Sequence, residues 1–127
     1  MIYGVGTDLI EIPRVEAALA RFGDRFAQRI LCEPELRRFA AHRKPAAYLA
    51  KRFAAKEAFT KALGTGIHAP ANWHGVWVTN LRSGKPTLEF TAALKALLVA
   101  RGVGLAHLSL TDERELASAT VILETAS

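Results

Sequence analysis

The first twelve residues alternate in a way that is typical of a β-strand. One face of this predicted strand carries Ile2, Gly4, Gly6, Asp8, Ile10 and Ile12. Glycine weakens a strand unless another group packs closely against it. Gly4 and Gly6 therefore predict a tight neighbour on the face that also carries the Asp8 carboxylate.

The longest helical pattern covers residues 46–63, with Pro45 at its start and Gly64 at its end. One side of this central helix is lined by small and charged residues: Ala50, Ala54, Glu57 and Lys61. If the helix lies across the first strand, the alanine and glycine surfaces allow Asp8 and Glu57 to converge.

Shorter patterns complete the predicted fold. Basic helical segments fill residues 13–39, a hairpin joins strands at 76–80 and 87–90, Thr91 caps another helix, and two strands follow at 107–110 and 120–123. No repeat, linker or low-complexity tract divides the chain. We predict one α+β domain, residues 1–127, with about five mainly antiparallel strands in a sheet packed against the long central helix.

Composition supports a single globular unit. The 127 residues are 50% hydrophobic and 23% charged, which excludes disordered and collagen-like classes. No apolar run approaches the roughly 18 residues of a membrane span, and the start of the chain does not resemble a signal peptide. Cys32 is the only cysteine, so an internal disulfide and a thiolate metal cage are both excluded, and we expect a cytoplasmic protein.

The net charge of +5 arises entirely in the first half. Residues 1–61 hold 12 of the 17 Lys and Arg but 7 of the 12 Asp and Glu. Such asymmetry predicts an acidic partner: the phosphates of a nucleic acid or small cofactor, or a carboxylate-rich protein. Charge alone does not choose among them.

Two carboxylates are poorly explained by their neighbours, namely Asp8 in the first strand and Glu57 on the alanine-lined side of the helix. Such a pair favours a hard cation, magnesium or calcium, over zinc. Lys61, one turn after Glu57, can pair with it or face a phosphate. Further phosphate contacts are expected from Arg52, Lys56, Lys85 and His107. Four of these residues also have a plainer interpretation, in which Glu57 and Lys61 form a solvated ion pair, Asp8 caps a turn, and His107 is a structural histidine.

Five motifs, in order along essentially the whole chain, resemble the short phosphopantetheinyl transferases, the holo-acyl-carrier-protein synthases. They are residues 6–12 (GTDLIEI), 52–62 (RFAAKEAFTKA), 64–67 (GTGI), 84–86 (GKP), and 107–109 (HLS) with 119–122 (ATVI).

The resemblance implies the transferase fold and magnesium-dependent transfer of 4′-phosphopantetheine from coenzyme A to a serine of apo-acyl carrier protein, in support of fatty acid biosynthesis. It implies that Asp8 and Glu57 bind the metal and that Lys61 stabilises the departing phosphate. It also implies that Glu57, directly or through a metal-bound water, accepts the serine proton. The coenzyme A contacts it implies are Arg52, Lys61, Gly64, Thr65, Gly66, Gly84, Lys85, Pro86 and His107.

The same resemblance implies a homotrimer with coenzyme A in clefts between subunits. Because acyl carrier proteins are acidic, four arginines are expected to meet the carrier: Arg14, Arg21, Arg25 and Arg29. Neither nucleic acid nor membrane is an expected partner. Three alternatives stay open, namely a basic nucleic-acid-binding domain, a non-catalytic assembly module, and a nucleotide hydrolase that uses the same metal pair.

Overall fold

The computed structural model describes all 127 residues. Five strands and five helices follow one another in this order: β1 (Ile2–Glu11), α1 (Ile12–Phe22), α2 (Asp24–Ile30), α3 (Glu33–Ala41), α4 (Pro45–Leu63), β2 (Val76–Asn80), β3 (Pro86–Phe90), α5 (Ala92–Ala100), β4 (Val103–Glu113) and β5 (Leu116–Thr125).

All strand pairs are antiparallel, but the strands form two sheets, and the prediction of one five-stranded sheet was wrong. The larger sheet has the order β1-β5-β4, and β2 pairs only with β3. The outer edge of β2 is not open to a further strand at Val78, because this residue donates its backbone N–H to the buried Glu35 carboxylate of α3. Strands β4 and β5 are longer than the predicted strands 107–110 and 120–123 and extend over Val103–Glu113 and Leu116–Thr125.

The long helix α4 lies directly against β1. A Cβ atom added to Gly4 would overlap the carbonyl oxygen of Ala62, and one added to Gly6 would overlap that of Ala58. This confirms the tight neighbour predicted from the two glycines. Because Asp8 shares their face of the strand, its side chain is directed to the side on which α4 lies.

The ends of α4 agree with the sequence signals. Pro45 stands in its first turn, and Gly64 ends it in the left-handed conformation with φ of 88°. Helix α5 begins as predicted at Thr91, whose hydroxyl accepts a hydrogen bond from the backbone N–H of Leu94.

Two hydrophobic clusters meet along α4. One joins its C-terminal half to the sheets and α5 through Phe59, Val121 and Leu123, and the other joins its N-terminal half to α1 and α2 through Leu49 and Ile30. The helix is therefore packed on most of its circumference, and few of its side chains are free to contact a ligand. None of the helices is long and apolar enough to cross a membrane.

Candidate active site

An open cleft of about 470 Å³ lies between β1, α1 and α4, and the three predicted catalytic residues line it. Asp8 comes from β1, and Glu57 and Lys61 come from α4. They meet because the glycine and alanine surfaces bring strand and helix together next to Asp8. Glu57 and Lys61 are one helical turn apart and therefore share a side of α4.

Lys61 pairs across the cleft with Asp8. Its Nζ donates to Asp8 Oδ1 at 3.1 Å and to the backbone oxygen of Thr7 at 3.0 Å. The pair within the helix that the plainer interpretation expected, between Glu57 and Lys61, is not formed. The Lys61 side chain is 53% exposed, so its ammonium group remains accessible to an anionic ligand.

The Asp8 carboxylate is close enough to Glu57 to affect the ionisation of Glu57. Partial burial raises the pKa of the Glu57 carboxyl, the negative charge of Asp8 raises this pKa further, and Lys61 opposes the shift. An added cation would remove this repulsion.

The donor set fits magnesium. Asp8 and Glu57 offer oxygen ligands only, and no group of three or more His, Cys, Asp or Glu side chains is assembled anywhere in the chain. Magnesium characteristically takes one or two protein carboxylates and completes its octahedron with water and phosphate oxygens. A larger all-protein cage, such as calcium or structural zinc uses, is not available here.

Arg52, a predicted coenzyme A contact, lies outside the cleft. Its side chain is buried, its guanidinium carbon is 4.0 Å from the centre of the Tyr48 ring, and its Nη2 donates to Asn80 Oδ1 at 3.4 Å. Burial lowers the pKa of this guanidinium. Its Nε has no hydrogen-bond partner, so the group retains an unused donor.

A second arginine, which the sequence did not indicate as a site residue, contacts the same oxygen of Asn80. Arg38 Nη1 donates to Asn80 Oδ1 at 3.2 Å, and Asn80 Nδ2 donates to the backbone oxygen of Gly84 at 3.0 Å. Arg38, Arg52 and Asn80 form what we call the arginine cluster, and neither guanidinium is ion-paired. Two cations on one neutral oxygen are suited to bind an anion. The only signal in the sequence was the basic character of α3, because Asn80 is 42 residues away from Arg38.

The remaining predicted coenzyme A contacts are also separate from the cleft within one chain. Residues 64–66 form the turn after α4, with positive φ at Gly64 and Gly66, and residues 84–86 lie at the turn between β2 and β3. His107 pairs with Ile122, which pairs in turn with Val5, so it lies on the sheet face opposite α4. There its Nε2 is 2.6 Å from Glu124 Oε2.

Lys56 is not a surface contact for phosphate, and that prediction was wrong. Its side chain is fully buried and its Nζ is 2.7 Å from Glu35 Oε1. Helical periodicity could not show this, because the partner carboxylate belongs to α3.

The four arginines expected to meet a carrier are all exposed, on α1 and α2. Arg14 also lines the cleft, and the Arg21 guanidinium lies 5.1 Å from the centre of the Phe22 ring. None of the four forms an ion pair within the chain. This basic surface, Arg14, Arg21, Arg25 and Arg29, therefore adjoins the Asp8–Glu57 cleft at one end and remains available to an acidic partner.

Comparison with known proteins agrees with this fold. Residues 4–120 match the family model described as the 4′-phosphopantetheinyl transferase superfamily. The chain is 52% identical over 124 residues to the holo-[acyl-carrier-protein] synthase of Aromatoleum aromaticum, covering 98% of each chain. It is 50% identical to that of Vibrio parahaemolyticus, covering 97% of this chain and 98% of the relative.

Solved structures show the same architecture. The crystal structure of the holo-[acyl-carrier-protein] synthase from Neisseria meningitidis superposes with a TM-score of 0.96 at 42% identity, covering 98% of this chain and all of the other. The Bacillus anthracis enzyme, solved in complex with coenzyme A (3′,5′-ADP), gives 0.83 at 36% identity, covering 100% of this chain and 99% of the other. The chain therefore belongs to the 4′-phosphopantetheinyl transferase superfamily.

Proposed function

We propose that this protein is a holo-[acyl-carrier-protein] synthase, which transfers 4′-phosphopantetheine from coenzyme A to a serine hydroxyl of apo-acyl carrier protein. The observation that carries the proposal is the convergence of Asp8, Glu57 and Lys61 in one open cleft. Relatives of about 50% identity bear that enzyme name, and the Bacillus anthracis structure contains coenzyme A. We further propose that the enzyme acts in the cytoplasm and supports fatty acid biosynthesis.

Asp8 and Glu57 are the proposed ligands of a magnesium ion. Bound there, the ion would neutralise the pyrophosphate oxygens of coenzyme A during phosphoryl transfer.

In the transfer step, the serine Oγ forms a new bond to the β-phosphorus of coenzyme A. The bond between that phosphorus and the bridging oxygen breaks, and its electron pair leaves with adenosine 3′,5′-bisphosphate. Glu57 takes the serine proton, directly or through one water. The Lys61 ammonium, 3.1 Å from Asp8, stabilises the negative charge that develops on the leaving phosphate.

The arginine cluster is the proposed site for a phosphate of the adenosine bisphosphate portion. The two guanidinium charges without ion pairs, of which that of Arg38 is exposed, support this role. Lys85, Gly84 and Pro86 belong to the turn joined to the cluster through Asn80, and we propose that they contact the same cofactor. Gly64, Thr65, Gly66 and His107 stay proposed contacts on the resemblance alone.

These contacts are dispersed over one chain, which favours a cofactor bound between chains. We propose a homotrimer with coenzyme A in the clefts between neighbours. An exposed apolar face supports the assembly, since Val5, Leu9 and Leu105 are each more than half exposed on the sheet face that also carries His107. A neighbour packed on this face would bring its own residues near His107.

The decisive assay incubates the protein with apo-carrier, coenzyme A and Mg²⁺ and measures the carrier by mass spectrometry. We expect the added arm in wild type and its near-complete loss in Glu57→Gln. The control, Glu89→Gln, alters an exposed carboxylate on β3 and should transfer normally. No mass gain in wild type would contradict the function, and adenosine bisphosphate released without carrier modification would favour the hydrolase alternative.

A further inference from the structure

A buried ion pair lies on the face of α4 next to the one that lines the cleft. Lys56 and Glu35 have side chains that are 0% and 1% exposed, with Nζ 2.7 Å from Oε1. Lys56 also donates to the backbone oxygens of Ile30, at 2.7 Å, and Trp73, at 2.8 Å. All three of its N–H bonds thus have oxygen acceptors inside the protein.

Glu35 is equally well satisfied. Its Oε1 accepts a further bond from the backbone N–H of Cys32 at 2.9 Å, and its Oε2 accepts one from the backbone N–H of Val78 at 2.9 Å. One ion pair therefore joins α4 to the end of α2, the start of α3, the segment before β2, and β2 itself.

This network is coupled to the cleft in two ways. Lys56 directly precedes Glu57, and successive residues of an α-helix are about 100° apart around its axis, so fixing Lys56 fixes the direction of Glu57. In addition, the ring of Trp73, whose backbone oxygen accepts from Lys56, lies 4.9 Å from the ring of Phe53, which lines the cleft.

Stability alone is a poor explanation for the pair. Removing two charges from water is costly, and replacing a buried ion pair by apolar residues of similar volume is often neutral or stabilising. A fully bonded network does, however, select one arrangement of the elements that it joins. Resting on the proposed function, we propose that Lys56 and Glu35 are positioning residues, which hold α4 in the rotation that aims Glu57 at Asp8.

The test is the double variant Lys56→Met/Glu35→Leu, which removes both charges and leaves neither one buried alone. We expect a folded protein whose kcat is reduced about 10- to 100-fold, with the KM for coenzyme A little changed. We also expect Mn²⁺, followed by electron paramagnetic resonance, to bind about tenfold more weakly. The matched control is Lys51→Met/Asp112→Asn, which removes a partly exposed ion pair between the same helix and β4 and should leave both measurements unchanged.

A folded double variant with wild-type kcat and Mn²⁺ affinity would overturn the positioning role. Should the double variant fail to fold, Lys56→Met/Glu35→Gln provides the test, since it also leaves no charge buried alone and its amide oxygen can still accept a backbone N–H bond. Reduced kcat supports the role and unchanged kcat contradicts it. Failure of the proposed function itself has a different signature, because wild-type protein would then transfer nothing to the carrier.

Discussion

Two charged side chains on different faces of α4 differ in how completely the protein satisfies their hydrogen bonds. Lys56, on the buried side, uses all three N–H bonds on fixed oxygens of the protein. Lys61, five residues later, is half exposed and contacts only Asp8 and the Thr7 carbonyl. A lysine whose bonding is complete fixes structure, whereas one with free N–H bonds facing an open cleft can bind a ligand.

The carboxylates differ in the same way. Glu35 accepts three hydrogen bonds, from Lys56, Cys32 and Val78. Glu57 has no ion-pair partner and is subject to the repulsion of Asp8. Within the motif at residues 52–62, Lys56 therefore stabilises the fold, whereas its neighbour Glu57 is available for the chemistry.

The largest effect is expected from a variant that separates β1 from α4. Gly6→Val introduces a side chain where even a Cβ overlaps the Ala58 carbonyl, so we expect a loss of about 3 kcal/mol or more in the free energy of unfolding. Urea denaturation measures it. The control is Thr7→Val, at the next residue of the strand but on its exposed face, and it should be close to neutral. A Gly6→Val protein as stable as wild type would contradict the packing described above.

Removing the ligand-facing lysine should affect catalysis without affecting the fold. We expect Lys61→Met to reduce kcat about 100-fold, because a positive charge aimed at the leaving phosphate is lost. The free energy of unfolding should change by about 1 kcal/mol or less, since the Lys61 side chain is 53% exposed. Lys95→Met, on the exposed surface of α5, is the control. A large loss of stability with unchanged kcat would assign Lys61 to the architecture instead.

The smallest effect is expected at the basic surface next to the cleft. Arg25→Glu should raise the KM for carrier protein several-fold at low salt and leave the KM for coenzyme A unchanged, since exposed charges chiefly steer association. Arg14→Glu should do the same, with an added effect on kcat because Arg14 also lines the cleft. Both KM effects should diminish as salt shortens the Debye length to about 3 Å at 1 M. Carrier kinetics that match those of Lys95→Glu at low salt would contradict the assignment.

The sequence predicted the cleft better than its surroundings. Gly4 and Gly6 signalled a close neighbour, the helix signals of α4 were clear, and together they were sufficient to bring Asp8 and Glu57 near each other. These are local signals, in which the absence of a side chain or a helix cap acts at its own position.

The errors concern partners that are distant in sequence. Lys56 was assigned to phosphate binding because its own helix carries no sign of Glu35, 21 residues earlier. The division into two sheets depends likewise on Val78 meeting that same carboxylate, 43 residues away. The contact between Arg38 and Asn80 could not be predicted, because no residue near Arg38 in the sequence indicates it.

The most direct test of the shared cation site is a double-mutant cycle on Mn²⁺ binding, measured by electron paramagnetic resonance in wild type, Asp8→Asn, Glu57→Gln and the double variant. We predict one bound ion per chain in wild type and weakening of about tenfold or more in each single variant, since each loses a full charge at the ion. The effects of the two single variants should not add up to that of the double variant, because both carboxylates act on the same ion. Equal affinity in wild type and both single variants would contradict the account.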